Sequence, residues 1–187
     1  TNIFMGLLED LILKKCPAKP RFYKRFIDDI IVIFDTPEEL ALFEEYANNE
    51  CEHIKFTSES STEKVCFLDT WVHIHPDGYL YTSLYTKPTD TFDYLHHTSA
   101  HPNHCKEAGP KGQLLRIRRI CFKDSDFELF AQRTMDHYHR RGYPHSVTKK
   151  AYDHVKKLTQ RELLDSQTNK KQNDGKNLYF ITPYNER

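Results

Sequence analysis

The chain has 187 residues, of which 38% are hydrophobic and 29% charged, and this composition excludes an intrinsically disordered protein. The formal net charge is zero, which excludes a protein that binds nucleic acid through bulk positive charge alone. No run of about 18 apolar residues occurs, so no membrane partner is predicted.

The first predicted elements are a helix and a β-hairpin. Residues 2–13 form a mostly apolar helix, which the proline-containing segment 16–20 ends. An aromatic strand at 22–26 and a β-branched strand at 30–34 follow, with Asp28 and Asp29 predicted in the turn between them.

A second helix and a second hairpin come next. Thr36 is a predicted N-cap, with Pro37 in the first turn and Glu39 completing a capping box, and the helix runs to about residue 49. A short strand is predicted at 54–56. The second hairpin pairs residues 67–74 with 79–86 through a turn that contains Pro76 and Gly78.

An extended connector and then three helices are predicted up to residue 165. An extended connector covers 87–112, and three helices follow at 113–121, 125–142 and 146–165. A polar linker at 166–177 then precedes a short strand at 178–182. These patterns predict an α+β chain of three regions, 1–86, 87–165 and 166–187. The first region contains antiparallel hairpins, and the second is an extended connector followed by a helical bundle of the helix-turn-helix type.

Charges and cysteines are unevenly distributed. Acidic residues concentrate between Glu38 and Glu63, and basic residues between 106 and 161, which permits one basic face. The five cysteines are odd in number, scattered and never in a C-x-x-C pair, which favours reduced thiols and an intracellular protein. His96, His97, His101 and His104 lie close together in the connector, but their spacing does not indicate a structural zinc site.

The paired carboxylates carry the clearest chemistry. Asp28 and Asp29 lie between two apolar strands, where adjacent carboxylates repel each other unless a cation neutralises them. Mg²⁺ prefers oxygen ligands and keeps water and phosphate as the others, so it is the expected ion. The alternative is that the pair only makes a hydrophilic hairpin tip.

The residues around this pair resemble those of reverse transcriptases. Arg25-Phe26-Ile27-Asp28-Asp29, followed by an apolar strand, resembles the Tyr-x-Asp-Asp box, and Phe67-Leu68-Asp69 resembles the start of the primer-grip hairpin. Further matches to the thumb of Penelope-like retroelement enzymes, which are related to telomerase, lie at residues 85–90, 94–95, 101–104, 113–121 and 140–144. The resemblance covers roughly residues 1–165.

This resemblance implies a partial palm at 1–86 and a helical thumb at 87–165, from an RNA-directed DNA polymerase. It implies that Asp28 and Asp29 bind Mg²⁺ and that Phe67, Leu68 and Asp69 form the primer grip. Lys55 is the candidate lysine that protonates pyrophosphate, with Lys64 as its competitor. Phe26 replaces the usual Tyr, so a hydroxyl near the primer end is lost.

The implied partners are an RNA template, a DNA primer and, for the complete enzyme, deoxynucleoside triphosphates; the implied location is the nucleus. Thr1 to Gly6 are typical of the cut end of a longer chain, and the first catalytic aspartate of the family is expected upstream. A two-metal site that lacks one carboxylate binds both ions poorly. The chain alone is therefore expected not to polymerise, and whether it is an enzyme is left open.

Basic residues in the second region are the candidates for nucleic-acid binding. The assigned set is Lys87, Arg116, Arg118, Arg119, Arg140 and Arg141. Lysines 149, 150, 156 and 157 line the last predicted helix. Two alternatives stay open: a solvated helical surface, and a helix-turn-helix module that binds nucleic acid without catalysis.

Overall fold

The computed structural model describes residues 2–168, with side chains described as far as residue 165. Helices and two small antiparallel sheets alternate along the chain, which confirms the mixed α and β composition. The elements are α1 (Asn2–Lys15), β1 (Phe22–Phe26), β2 (Asp29–Ile33), α2 (Pro37–Glu50), β3 (Lys64–Phe67), β4 (Thr70–Ile74), β5 (Leu80–Leu84), α3 (Asn103–Ile120), α4 (Asp124–Arg140), α5 (His145–Val155) and α6 (Gln160–Thr168).

The first hairpin turns more tightly than the sequence pattern predicts. Phe26 pairs with Asp29, so only Ile27 and Asp28 form the turn and Asp29 is the first residue of β2. Ile27 has φ +54°, a left-handed conformation that is rare for a β-branched residue. The expectation that both aspartates lie in the turn is therefore wrong for Asp29, because the two-residue turn leaves no room for it.

The first hydrophobic core lies between α1, α2 and this hairpin. Leu8 and Ile12 of α1 pack with Phe43 and Ala47 of α2, and Val32 covers them from β2. The predicted cap of α2 is confirmed, since Thr36 accepts a hydrogen bond from the Glu39 amide at 3.3 Å.

The predicted strand at 54–56 is wrong, because no strand partner reaches this segment in the described part of the chain. The side chain of Asn48 takes that place. Its amide nitrogen donates to the Phe56 carbonyl at 3.0 Å and its amide oxygen accepts from the Phe56 N–H at 2.7 Å. Both backbone groups of Phe56 are thus satisfied without a neighbouring strand.

The second sheet contains a turn that the sequence pattern did not predict. The strand expected at 67–74 breaks at Leu68 and Asp69, which connect β3 to β4, and Leu68 has φ +58°. The order in the sheet is β3-β4-β5. The turn at 75–78 is confirmed, with Gly78 at φ +85° and its N–H donating to the His75 carbonyl at 2.7 Å.

The helical unit begins earlier than the predicted helix at 113. Helix α3 starts at Asn103, so the connector is shorter than expected, and Pro110 lies inside the helix and is fully buried. Proline in a helix interior costs about 3 kcal/mol, and the packing of α3 offsets that cost. The second core joins residues of three helices, with Leu84 of β5 packed against it: Leu114, Ile117, Cys121, Phe127, Ala131, Ala151 and Val155.

The helix predicted over 146–165 is two helices in the structure. Helix α5 ends at Val155, and a capping box starts α6: the Thr159 N–H donates to the Glu162 carboxylate at 2.7 Å, and the Glu162 N–H donates to the Thr159 hydroxyl at 3.2 Å. Helix α6 includes the first three residues of the predicted linker. The rest of that linker and the predicted strand at 178–182 lie outside the described residues.

Candidate nucleic-acid interface

Helices α4 and α5 are joined by a tight turn. Four residues separate them, from Arg141 to Pro144, and Gly142 adopts φ +80°, which glycine accepts without steric cost. The Tyr143 N–H donates to the Tyr138 carbonyl at 3.1 Å and closes the end of α4. A short glycine-containing turn between two helices is the arrangement of helix-turn-helix modules.

Helix α5 has one buried and one exposed face. Thr148, Ala151 and Val155 are buried against α3 and α4. The exposed side chains follow helical spacing and surround a shallow depression of about 470 Å³: Ser146, Lys149, Lys150, Asp153, His154 and Lys157. We call these six residues the α5 stripe. It holds three ammonium groups against one carboxylate.

Lys156 is adjacent to this stripe in sequence but serves a different purpose. Its ammonium lies 2.9 Å from the Glu128 carboxylate and 3.2 Å from the Tyr152 hydroxyl. Hydrogen bonds from Tyr152 and then Lys156 lower the pKa of Glu128. Of the four lysines that the sequence placed on this helix, Lys156 links α5 to α4, and the other three lie on the stripe.

The side of α5 opposite the stripe is fixed by a buried polar contact. The Thr148 hydroxyl donates to the His145 carbonyl at 3.1 Å and lies 2.8 Å from His139 Nε2. Burial and then the neighbouring His145 lower the pKa of His139. A neutral imidazole beside Thr148 therefore holds the beginning of α5 against the end of α4.

The connector is held against α4 by ring stacking. Phe92 stacks on His137 with centroids 4.1 Å apart, and Tyr94 stacks on Tyr138 at 4.3 Å. Arg141 forms an ion pair with Asp93 of the connector. The structure therefore places Arg141, a candidate for nucleic-acid binding, in a contact that holds the connector.

The three candidate arginines of α3 have different surroundings. Arg116 forms a two-pronged ion pair with Asp69 of the β3–β4 turn, its Nε 2.9 Å from the carboxylate. Arg118 is buried; it donates to the Leu158 carbonyl at 2.7 Å and to Asp124 at 2.6 Å. The Nε of Arg119 is buried and has no hydrogen-bond partner among the described residues.

The other two candidate cations, Arg140 and Lys87, are both exposed. Arg140 is exposed at the end of α4. Lys87 is exposed and borders a cavity of about 180 Å³, which Asp69 and Arg116 also line. This cavity brings together Asp69 from the predicted primer grip and two predicted nucleic-acid-binding residues.

The first hairpin presents its aspartates to solvent. Asp28 and Asp29 are both exposed. Arg25 connects the turn to α1: its Nε donates to the Glu9 carboxylate of α1 at 2.7 Å, and its Nη1 donates to the Ile27 carbonyl at 3.0 Å. The strained residue Ile27 is thus anchored to α1 through one guanidinium group.

Strands β2 and β3 are in contact, so the first hairpin lies beside the second sheet. Burial raises the pKa of the Cys66 thiol of β3, and the carboxylates of Glu59, Asp29 and Asp69 raise it further. The strand that begins with Asp29 therefore lies beside the strand that leads into Leu68 and Asp69.

The two candidate lysines contact other elements. The Lys55 ammonium donates to the Asn48 carbonyl of α2 at 2.6 Å, and the Lys64 ammonium lies 4.6 Å from the centre of the Trp71 ring. Among the described residues, no group of three or more His, Cys, Asp or Glu side chains could hold a metal ion. Within the same part of the chain, no helix is long and apolar enough to cross a membrane.

The α5 stripe is the feature that sequence reasoning left out of the assigned set. Lys149, Lys150, Lys156 and Lys157 all lie in one predicted basic helix, and Lys149 and Lys156 are seven positions apart, a spacing that places them on the same helix face. Sequence spacing therefore does not separate Lys156 from the stripe. Its contacts with Glu128 and Tyr152 do.

One comparison with known proteins gave a match. Residues 93–153 match the animal helix-turn-helix domain family, and the match covers the end of the connector, α3, α4 and most of α5. The match extends over roughly a third of the chain and includes Lys149 and Lys150. Neither the curated proteins nor the solved structures gave a match.

Proposed function

We propose that the helical unit binds the phosphate backbone of nucleic acid through the α5 stripe. The observation that carries the proposal is the pair Lys149 and Lys150 on the exposed face of α5, the second helix in a helix-turn-helix arrangement, with Lys157 in the turn that follows it. In such modules the second helix enters the groove. The match of residues 93–153 to a helix-turn-helix family supports the same reading.

The composition of the stripe favours phosphate contacts over base reading. Lysine is a point charge suited to phosphate, and the stripe contains no Arg, Asn or Gln, which are the residues other than Lys that make bidentate base contacts. Binding is therefore expected to depend weakly on sequence and steeply on salt.

The test compares a variant that lacks three lysine charges on the α5 stripe with a variant that lacks three lysine charges elsewhere. The variant Lys149→Gln/Lys150→Gln/Lys157→Gln is compared with Lys14→Gln/Lys15→Gln/Lys24→Gln, whose lysines are exposed on α1 and β1. Fluorescence anisotropy measures binding to a labelled duplex of about 20 base pairs between roughly 50 and 200 mM salt. The stripe variant should bind at least about tenfold more weakly at low salt, and its log–log salt slope should be shallower by about 2 to 3.

Two outcomes would overturn the proposal. One is that the wild-type chain does not bind the duplex at low salt. The other is that the stripe variant and the α1–β1 variant behave alike, because the loss would then reflect total charge and not this face.

A second candidate function is more specific: the chain is the palm and thumb part of a reverse transcriptase of the Penelope-like type. The supporting observation is the contact between β2, which begins with Asp29, and β3, which leads into Leu68 and Asp69. In the complete enzyme, Asp28 and Asp29 would hold Mg²⁺, and the helical unit would grip an RNA–DNA hybrid.

The residues present fit that metal only in part. Mg²⁺ takes six oxygen ligands and accepts one or two protein carboxylates, which Asp28 and Asp29 can supply, but a two-metal site needs more than this pair. We therefore derive no catalytic step for this chain. A hybrid duplex included in the binding assay separates the candidates: a preference for RNA–DNA hybrid over duplex DNA favours the thumb, and the reverse favours the helix-turn-helix module.

A further inference from the structure

The β4–β5 hairpin carries four aromatic or imidazole rings on one face. His73 and Tyr81 are direct partners in the sheet, and His75 and Tyr79 flank the turn, two positions further along each strand. Side chains two positions apart in a strand point to the same side. We call His73, His75, Tyr79 and Tyr81 the ring cluster.

The rings form two stacks across the strands. The centroids of His73 and Tyr81 are 4.6 Å apart with an interplanar angle of 4°, and those of His75 and Tyr79 are 4.2 Å apart at 16°. Tyr79, just before β5, and Tyr81 have ring centroids 6.3 Å apart and an interplanar angle of 52°. The ring cluster is therefore two adjoining stacks that are tilted against each other.

The stack at the tip is the more exposed one. Tyr79 is 45% exposed, whereas His75, Tyr81 and His73 are half-buried. The His73 ring lies 2.9 Å from the Ser83 hydroxyl, and burial lowers its pKa. The inner pair thus supports the hairpin, as cross-strand ring pairs commonly do, and Tyr79 is the ring most open to solvent.

Positive charge borders this surface. The Lys123 ammonium, just before α4, lies 4.0 Å from the centre of the Tyr81 ring. Lys64 of β3 is the direct sheet partner of His73. An aromatic surface next to lysines is the combination with which proteins bind unpaired nucleotides, because the rings stack on bases and the cations meet phosphates.

We propose that the ring cluster is a second nucleic-acid site, which binds single strands by stacking a base on Tyr79 and pairing a neighbouring phosphate with Lys123. The site takes unpaired DNA or RNA nucleotides, since both offer a base and a phosphate. It lies on a different element from the α5 stripe, and the two sites share only the premise that the partner is nucleic acid.

The experiment measures the base-dependent part of binding. Wild-type chain is titrated against labelled strands of about eight nucleotides: oligothymidylate, oligouridylate and an abasic strand of the same length. The readout is the ratio of affinity for a base-bearing strand to affinity for the abasic one. We expect this ratio to be at least about five for the wild-type chain. It should fall toward one in Tyr79→Leu and keep its wild-type value in Tyr79→Trp, because the indole ring can also stack on a base. Comparing the first two strands shows whether DNA or RNA is preferred.

Two controls separate this site from the α5 stripe. Lys123→Gln should make the salt slope for single strands shallower by about one. The α5 triple variant should leave the base-to-abasic ratio unchanged even where overall affinity drops. Thermal unfolding of Tyr79→Leu and Tyr79→Trp checks that the exposed tip tolerates both changes.

A wild-type ratio near one would overturn the inference, and so would an unchanged ratio in Tyr79→Leu. Either result leaves duplex binding by the α5 stripe standing. Conversely, the chain could fail to bind duplex and still prefer base-bearing strands over abasic ones. That result would exclude only the proposal for the α5 stripe. If Tyr79→Trp lost the ratio while folding normally, stacking on this residue would also be excluded.

Discussion

Neighbouring arginines on α3 illustrate how little a basic residue reveals until its surroundings are known. Arg116 reaches the Asp69 carboxylate on another element, while Arg118, two positions later, points into the interior and holds the Leu158 carbonyl and Asp124. Arg118 also packs over the Phe127 ring, 4.9 Å from its centre. A buried guanidinium with these partners stabilises the fold, and exposing it to phosphate would break three contacts.

Replacing Arg118 with Met should therefore lower the free energy of unfolding by about 2–3 kcal/mol, because the partly buried Leu158 carbonyl loses its charged donor. Urea denaturation measures the change. Arg140→Met is the matched control, since Arg140 is exposed, and should stay within about 0.5 kcal/mol of wild type. If Arg118→Met instead kept full stability and lost nucleic-acid binding, Arg118 would belong to the interface.

At the scale of elements, the β1–β2 and β3–β4 hairpins share an unusual turn. Phe26-Ile27-Asp28 and Phe67-Leu68-Asp69 each place an aliphatic residue at positive φ, followed by an aspartate. A left-handed conformation costs a non-glycine residue about 1–2 kcal/mol. Strain of this kind persists where the surrounding structure fixes it, and Arg25 provides such support at Ile27.

Ile27→Gly should relieve that strain and raise the free energy of unfolding by about 1 kcal/mol, because Ile27 is 56% exposed and loses little burial. Thermal unfolding measures the gain as a higher Tm. Ile31→Gly, at an ordinary position of β2, should lose stability by contrast. A loss in both variants would show that the Ile27 side chain contributes more than its conformation costs.

Elements that depend on local signals could be predicted from the sequence, and those that depend on distant partners could not. The Thr36 cap of α2 and the Gly78 turn are local and were found. The segment around Phe56 was expected to pair with a strand, but Asn48 satisfies it instead. The capping box from Thr159 to Glu162 was a readable signal that was overlooked within an apparently continuous helix.

The same distinction between local signals and distant partners applies to the candidate sites. Asp28, Asp29 and the basic helices were identified from residue type and spacing, and the structure shows where they lie. Which cations remain free depends on contacts far apart in the chain, such as Arg116 with Asp69, 47 positions away. Sequence spacing could not separate Arg118 from Arg119, whereas burial does.

For the whole molecule, the polymerase reading requires more carboxylates at one place than the described residues bring together. Purified chain should give no templated extension of a primer in the presence of Mg²⁺ and all four deoxynucleotides, because Asp28 and Asp29 alone cannot hold two ions in place. A gel-based extension assay on a primed RNA template measures this, with an active reverse transcriptase as positive control. Templated product that disappears in Asp28→Asn would contradict the prediction.

The ion pair between Asp69 and Arg116 connects a strained turn to a helix of the second core. A phosphate that captures Arg116 must release Asp69, so binding on α3 and the position of the turn are thermodynamically linked, and the linkage is equal in both directions. Both side chains are 45% exposed, and pairs of this kind contribute at most about 1 kcal/mol. A ligand bound at Arg116 can therefore change the affinity for a ligand at the Asp69 turn by no more than roughly fivefold through this contact, and the same limit holds in the reverse direction.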